Sequence, residues 1–338
     1  MKLYCGIDLH SNNAVVTVLD EQDEVVAERR LSNDLGLILS FLAPYAESLV
    51  GIVVESTYNW YWLVDGLMDA GFDVQLANTA AIQQYSGLKH TDDRHDARWL
   101  AHLQRLGLIP QGYIYPREQR AVRDLARKSA QLVNQRTANI LSIQNLVARE
   151  TGRSISTNEV KKLFGGKEPR WPTHSPLGLA IGAHLTVLRT LEEQIGTLEV
   201  QIVKHAREDE AYQALLSVAG VGKILGFTIL LETGDVGRFA GPGNFASYCR
   251  CVDSKRLSNG KKKGENNAKN GNRYLSWAFV EAANFAIRHY PQVKRFYERK
   301  KAKRNAVVAI KAVAHKLARA SYYVMRDRVP FDIQKAFG

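Results

Sequence analysis

The sequence predicts an α/β domain at its N-terminal end, followed by a long and mainly helical region. Over the first hundred residues, apolar β-branched runs alternate with segments of helical periodicity, which is typical of a mixed sheet with helices packed on it. Beyond Pro110 and Pro116, which bracket a linker, apolar residues recur at three- and four-residue spacing over long stretches. A chain of 338 residues can bury more than one core. We therefore expect an α/β domain over 1–110, a helical arm over 111–208 and a mostly helical domain over 209–338.

The α/β domain is predicted element by element from these patterns. Three strands joined by short polar turns open the chain, because β-branched runs alternate there with clusters of turn-forming residues. The predicted strands are Tyr4–Leu9, Ala14–Leu19 and Val25–Leu31. The elements that follow are a helix (Asp34–Glu47), a buried strand (Leu49–Glu55), a helix (Trp60–Ala70), a short strand (Asp73–Ala77) and a helix (Asp93–Leu106).

The remaining two thirds of the chain are predicted to be helical. Two long helices, Arg117–Arg149 and Leu177–Arg207, form either an antiparallel hairpin or a dimerising coiled coil, and the sequence leaves both open. The segment Leu215–Lys223 ends in a Gly-x-Gly turn, which is either a phosphate-binding helix-hairpin-helix or an ordinary tight turn. Further apolar helices are predicted at Ile224–Glu232, Tyr274–Ile287 and Asn305–Met325.

Charge is segregated along the sequence. Residues 1–110 contain seven Lys and Arg against fifteen Asp and Glu, whereas residues 255–304 contain fifteen against three. A solubilising surface would intersperse the two signs, so this segregation favours a protein that binds a polyanion at one end and cations at the other. The residues predicted to bind nucleic acid are Lys223, Lys255, Arg256, Lys261, Lys262, Lys263, Lys269, Arg273, Lys300, Lys301, Lys303 and Arg304.

Several protein classes are disfavoured by composition. No apolar run reaches membrane-spanning length, and Asp8 comes too early for a signal peptide. The three cysteines, Cys5, Cys249 and Cys251, cannot build a disulfide framework, so we expect inert thiols in a reducing cytoplasm.

Four acidic residues are placed so that they converge on one site. Asp8 and Glu55 end two predicted strands, and acids at the carboxyl ends of neighbouring strands project into one crevice. Asp93 and Asp96 are three residues apart, so they share a helix face. Four converging carboxylates repel each other unless divalent cations neutralise them. The pattern predicts a site for Mg²⁺ or Mn²⁺, with two ions in the arrangement used for phosphoryl transfer.

Two serines lie beside a dense run of lysines. Ser254 and Ser258 belong to a Gly- and Lys-rich stretch in which cations would stabilise a phosphorane if serine attacked a phosphodiester. A solvated loop that only contacts phosphates has the same composition. The residues alone leave both interpretations open.

The motifs in this order resemble those of the DEDD transposases of the insertion-sequence 110 family, which includes the pilin-gene invertase. The resemblance is carried by Gly6-Ile7-Asp8, Val54-Glu55 and Asp93-Arg94-His95-Asp96-Ala97-Arg98, and it continues through Leu216–Gly222, Glu232-Thr233-Gly234-Asp235, Phe245-Ala246-Ser247-Tyr248 and Lys269-Asn270-Gly271-Asn272. It implies a ribonuclease-H-like domain, similar to that of Holliday-junction resolvases, with a helical transposase domain. It places Asp8, Glu55, Asp93 and Asp96 at the tetrad positions of the family and matches Ser258 to its nucleophile.

The same resemblance implies how the protein works. It implies DNA cutting and rejoining through a covalent phosphoserine, guided by a noncoding bridge RNA. The expected partners are the element ends, a target duplex and further copies of the chain in a dimer or tetramer. Two departures leave alternatives: Asp92 is a rival to Asp93, and Asn259 separates Ser258 from the glycine that follows the serine in the family, which keeps Ser254 open.

Two other functions fit the residues. A metal-dependent nuclease similar to a junction resolvase would use the carboxylates alone and form no protein–DNA adduct. A nucleic-acid-binding scaffold would bind without metal-dependent cleavage.

Overall fold

The computed structural model describes residues 1–78, 81–82, 92–164, 174–252, 256–264 and 270–338. The chain forms two compact units. The first is Met1–Arg117 with Ser254–Asn270, and the second is Glu118–Asp253 with Gly271–Gly338. The three domains expected at 1–110, 111–208 and 209–338 stay a prediction beside this grouping.

A mixed sheet lies at the centre of the first unit. Its strands are β1 (Leu3–Leu9), β2 (Asn13–Leu19), β3 (Val25–Ser32), β4 (Leu49–Glu55) and β5 (Val74–Ala77). Their order is β3-β2-β1-β4-β5; β1 to β3 form an antiparallel ribbon, while β4 is parallel to both β1 and β5. The five strands predicted from apolar, β-branched runs are confirmed to within one residue at each end.

Helices α1 (Leu35–Leu42), α2 (Tyr61–Asp69) and α3 (Asp93–Arg105) pack on this sheet. Asp34 caps α1 by accepting a hydrogen bond from the backbone N–H of Leu37 at 3.0 Å. The prediction that this helix continues to Glu47 is wrong, because the chain passes into a 3₁₀ turn at Ala43–Tyr45. Pro44 in that turn has no backbone N–H to continue the α-helical ladder.

The two faces of the sheet carry different helices. Cys5, Ile7 and Ile52 belong to a buried cluster that includes side chains of α1 and α2. On the opposite face, α3 lies directly against the central strand, since a side chain at Gly6 would meet the carbonyl oxygen of Ala97 at 2.0 Å. The glycine therefore sets how closely α3 approaches the sheet.

The second unit is helical in the part of the chain that is described. Its long helices α4 (Arg117–Thr151) and α6 (Pro176–Ala206) flank α5 (Thr157–Phe164), and the later helices are α7 (Glu210–Leu215), α8 (Lys223–Thr233), α9 (Pro242–Tyr248), α10 (Arg273–His289), α11 (Pro291–Lys303), α12 (Ala306–Asp327) and α13 (Ile333–Phe337). A two-stranded hairpin of β6 (Arg256–Ser258) and β7 (Lys261–Gly264) groups with the first unit instead.

The long helices α4 and α6 form an antiparallel hairpin within one chain. Near the end of α4, Ile143 shares a cluster with Ile181 near the start of α6. Near the start of α4, Leu125 packs against a cluster that contains Ile202, near the end of α6. Between these clusters, Arg136 and Glu192 form an ion pair at 3.1 Å. Of the two arrangements left open by the sequence, the chain itself forms the hairpin.

The last helices share one apolar core. Small and aromatic side chains of α10 pack with those of α12 and α9, among them Phe279, Leu317 and Phe245. The helix α11 was not expected from hydrophobic periodicity, because only Val293 of its side chains is buried. None of the helices among the described residues combines the length and the apolar character needed to cross a bilayer.

Candidate active site

Two carboxylates stand side by side at the carboxyl ends of the parallel strands β1 and β4. Ile7 pairs with Val54, so the next residues, Asp8 and Glu55, lie next to each other on the face that carries α3. Asp8 is buried, with 2% of its surface exposed, and Glu55 is partly buried. The expectation that strand-end acids share one crevice is met by this pair.

The first turn of α3 brings two further carboxylates to the same end of the sheet. Asp93 and Asp96 both lie in that turn, and Asp93 Oδ2 and Asp8 Oδ2 each come within 3.3 Å of His10 Nε2. Asp92 has a different position, because it is the N-cap of α3 and its Oδ1 accepts a hydrogen bond from the His95 backbone N–H at 2.8 Å.

The proximity of these acids is reflected in how readily they ionise. Burial, followed by hydrogen bonding to Asp8 and by repulsion from Asp8 and Asp96, raises the pKa of Glu55 to about 8. Burial and then the charge of Asp8 raise the pKa of Asp96. In contrast, a hydrogen bond from Arg30 lowers the pKa of Asp93. Without cations, the site therefore retains a proton near neutral pH, at Glu55.

Ion pairs hold α3 in place over the sheet. Arg98 binds Glu28 of β3 through two hydrogen bonds of 2.6 and 3.0 Å. At the other end of the helix, Arg105 and His102 both bind Asp23, which lies in the turn between β2 and β3. These contacts fix the helix whose first turn carries the two aspartates.

Two residues of this site were not predicted from the sequence. His10 follows β1 directly and faces Asp8 and Asp93, and Arg30 of β3 donates a hydrogen bond of 2.6 Å to Asp93. Asp8, His10 and Asp93 form a group whose ligand atoms lie within 4.8 Å of one another. The available signal was the spacing of Asp8 and His10, since residues two apart on an extended chain point to the same side.

Ser258 lies at the tip of the β6–β7 hairpin. It pairs with Lys261 across a two-residue turn formed by Asn259 and Gly260, both with positive φ (49° and 71°). An Asn-Gly pair with two positive φ values is typical of a type I′ turn, which matches the twist of the flanking strands. Asn259 therefore has a structural reason to separate the serine from the glycine. The Ser258 side chain is exposed.

Comparisons with known proteins place the chain in a family. A model of DEDD transposases of the IS110 type, described as "Transposase", matches residues 5–150. A second model, described as "Transposase IS116/IS110/IS902 family", matches residues 212–298. Together they match more than half of the chain. The chain belongs to the IS110 family of transposases.

Two curated proteins that are similar to this chain are also transposases. The transposase is 28% identical over 290 residues to a probable family 20 transposase of Pseudomonas aeruginosa, which covers 84% of this chain and 83% of that protein. It is 24% identical over 294 residues to the transposase for insertion sequence element IS1111A of Coxiella burnetii, covering 84% of this chain and 78% of the other. The transposase is thus an enzyme of an insertion sequence that acts on DNA.

The described cations that were predicted to bind nucleic acid are exposed in the transposase. Exposed side chains are seen at Lys223, Lys261, Lys263, Arg273, Lys300, Lys301, Lys303 and Arg304. Lys255, Lys269 and the rival nucleophile Ser254 lie outside the described residues, and only the backbone is described for Arg256 and Lys262.

The Gly-x-Gly turn of the transposase has a packing role at its first glycine. Gly220 has a φ of 80°, and a side chain there would meet the Ala282 carbonyl oxygen of α10 at 2.1 Å. Gly222 caps the start of α8, and no atom lies close to where its side chain would be. The first glycine therefore fits the ordinary tight turn, whereas the second leaves the N-terminus of α8 open.

Other residues that carry the resemblance are structural in the transposase. Glu232 is buried, and its carboxylate accepts hydrogen bonds from Arg127 at 2.6 and 2.8 Å and from Asn272 at 2.6 Å. Asn272 also caps α10. This network ties α4, α8 and α10 together at the point where the chain returns from the segment that carries Ser258.

The three thiols of the transposase are buried. Cys5, Cys249 and Cys251 are free and buried. Burial raises the pKa of Cys251 to about 12 and raises the pKa of Cys5 and Cys249 as well.

Proposed function

We propose that this transposase recombines DNA through a divalent-metal site formed by Asp8, Glu55, Asp93 and Asp96, with Ser258 as the nucleophile. One observation carries the proposal. The carboxylates at the ends of β1 and β4 and those in the first turn of α3 come together at one end of a mixed sheet. This arrangement is compatible with a ribonuclease-H-like fold, which the family implies.

The donor set suits a hard divalent cation. It is rich in carboxylate oxygen, and Asp8 Oδ2 is buried without a hydrogen-bond partner among the described residues. A cation gives such an oxygen a partner and stabilises the charged form of Glu55, whose pKa is raised by burial and then by its acidic neighbours. We therefore propose Mg²⁺ or Mn²⁺, with two ions per site. When bound, these ions neutralise charge on the scissile phosphate. Asp92 is engaged as a helix cap, which supports Asp93 as the third ligand.

Ser258 has the exposure and the charge environment that a nucleophile on DNA needs. Its Oγ forms a bond to phosphorus while the bond between phosphorus and the leaving sugar oxygen breaks. The serine proton is released and the leaving oxygen takes one up, so reversal with a different strand rejoins DNA. Lys261 lies opposite Ser258 in the hairpin, where its charge stabilises the phosphorane.

The nucleic-acid partners follow from the family and from the exposed cations. We propose that the element ends, a target duplex and a noncoding bridge RNA bind the basic residues named above. We also propose a dimer or tetramer in which one copy supplies the carboxylates and another supplies Ser258.

A covalent adduct tests the proposal. The full chain is incubated with Mg²⁺, bridge RNA and DNA that contains an element end, and the products are run on a denaturing gel. We expect a protein–DNA adduct whose modified peptide contains Ser258. Ser258→Ala should bind both nucleic acids without forming it, whereas Ser254→Ala should behave as wild type.

Each other result selects a different function. Cut DNA without any adduct indicates the hydrolytic nuclease, and binding without metal-dependent cleavage indicates the scaffold. An adduct on Ser254 would show that the nucleophile is misassigned. Mixing Ser258→Ala protein with Glu55→Ala protein tests the shared site, because activity is restored only if two copies complete one site.

A further inference from the structure

The imidazole nitrogen Nε2 of His10 lies close to two carboxylate oxygens of the proposed metal site. Its Nε2 lies 3.1 Å from Asp8 Oδ2 and 3.3 Å from Asp93 Oδ2. Both Nε2 and Asp8 Oδ2 are nevertheless buried atoms without a hydrogen-bond partner among the described residues. Two buried polar atoms that face each other without a hydrogen bond are both satisfied if they bind the same ion.

The spacing of these atoms is that of neighbouring ligands around one ion. Donor atoms at about 2.1 Å from an octahedral ion stand about 3 Å apart when they are adjacent. The two distances from His10 Nε2 to the carboxylate oxygens are close to this value. A hydrogen-bonded ion pair in the same unit looks different: His102 Nδ1 lies 2.9 Å from Asp23 Oδ1 and makes a hydrogen bond with it.

The backbone of His10 is held rigidly although the residue follows the strand. Its carbonyl oxygen accepts hydrogen bonds from the side-chain amides of Asn33 and Asn59, both at 3.0 Å. Its N–H donates to the carbonyl oxygen of Asn13 at 2.8 Å. Three backbone hydrogen bonds hold His10 beside the carboxylates, as expected for a ligand positioned by its surroundings.

We propose that His10 Nε2 is a nitrogen ligand of the metal site, beside the carboxylates of Asp8 and Asp93. The inference rests on the proposed function, since it adds a ligand to the same site. It also predicts a metal preference. Mg²⁺ favours an all-oxygen shell, whereas imidazole suits transition metals, so a nitrogen ligand shifts the site toward Mn²⁺.

Mn²⁺ binding to the full chain without nucleic acid tests the inference. Metal-stripped protein is titrated with Mn²⁺, and free ion is measured by electron paramagnetic resonance. We expect His10→Ala to weaken Mn²⁺ binding by at least about tenfold. His102→Ala should leave it within twofold, because that ring is hydrogen-bonded away from the site. The ratio of Mn²⁺ to Mg²⁺ affinity should fall in His10→Ala.

Pulsed resonance spectra of bound Mn²⁺ identify the ligand directly. The wild type should show a ¹⁴N coupling that His10→Ala and His10→Gln both lose at saturating Mn²⁺. His10→Gln keeps a polar side chain of similar reach, so it covers the case in which the alanine variant folds poorly.

The outcomes separate this inference from the proposed function. Bound Mn²⁺ without ¹⁴N coupling in the wild type, or unchanged affinity in His10→Ala, would overturn the role of His10 and leave the carboxylate site standing. Wild-type affinity in Asp8→Asn would instead overturn the carboxylate site. A wild-type chain that binds no Mn²⁺ would contradict both.

Discussion

Asp92 and Asp93 are adjacent in the sequence but do different things. Asp92 accepts the hydrogen bond that caps α3, while Asp93 points to His10 and Arg30. A helix cap stabilises the fold, whereas the ion pairs of Asp93 with Arg30 and His10 are partly exposed and contribute little to stability. Stability and metal binding should therefore separate at these two positions.

Replacing each aspartate by alanine tests that separation. Asp92→Ala should lower the free energy of unfolding by about 1 kcal/mol and leave Mn²⁺ affinity nearly unchanged. Asp93→Ala should abolish recombination and weaken Mn²⁺ binding, and it loses only partly exposed pairs with Arg30 and His10, worth below about 1 kcal/mol. Thermal melts and Mn²⁺ titrations measure both effects. If Asp92→Ala lost metal binding and Asp93→Ala kept it, the third ligand would be Asp92.

Glu55 makes the metal-free protein sensitive to pH. Its folded-state pKa, about 8, lies above the ordinary value of 4.5, so the folded state holds a proton that the unfolded chain has lost. The stability from this group is complete below pH 4.5 and is lost as pH rises toward 8. Glu55→Gln mimics the protonated form. With a chelator present, the melting temperature of the variant should exceed that of the wild type by an amount that grows from pH 6 to pH 8.5. A constant difference across this range would contradict the raised pKa.

At the scale of elements, the strands were predictable because apolar, β-branched runs are bounded by turn-forming residues. The helix α11 and the β6–β7 hairpin were not, because their residues are mainly charged and carry little apolar periodicity. The same reason applies in the site. Strand ends and helical spacing predict Asp8, Glu55, Asp93 and Asp96, whereas the approach of His10 and Arg30 depends on tertiary packing.

Gly6 is the position where packing of one element controls the site. A methyl group there would meet backbone atoms of α3, with the Ala97 carbonyl oxygen at 2.0 Å and the Ala101 nitrogen at 2.7 Å. Gly6→Ala should push α3 away from the sheet, lower the free energy of unfolding by about 3 kcal/mol and weaken Mn²⁺ binding. Gly196 is an exposed position on α6 with open space around it. Gly196→Ala should therefore raise the free energy of unfolding by about 0.5–1 kcal/mol. Equal melting temperatures for the two variants would show that α3 can move away from the sheet without a loss of stability.

Across the whole molecule, acidic and basic residues are concentrated in different parts of the chain. The metal-site carboxylates lie in the first unit, and the basic stretch 255–304 contributes α11, whose last turn carries the exposed Lys300, Lys301 and Lys303. Cations in the last turn of a helix are favourable for the helix itself, so their presence there has a local explanation as well. The lysines could therefore bind phosphate or only stabilise the helix. A measurement that counts phosphate contacts, as distinct from net charge, separates these two roles.

The salt dependence of DNA binding makes that separation. Each phosphate that a cation neutralises releases counterions, so the slope of log affinity against log salt counts contacts at roughly one unit each. Replacing Lys300, Lys301 and Lys303 with Gln should flatten the slope by up to about three units. Replacing Lys161, Lys162 and Lys204 removes the same charge from α5 and α6 and should flatten it far less. Equal flattening in both triple variants would mean that net charge alone drives binding, and an unchanged slope in the first would place the DNA elsewhere.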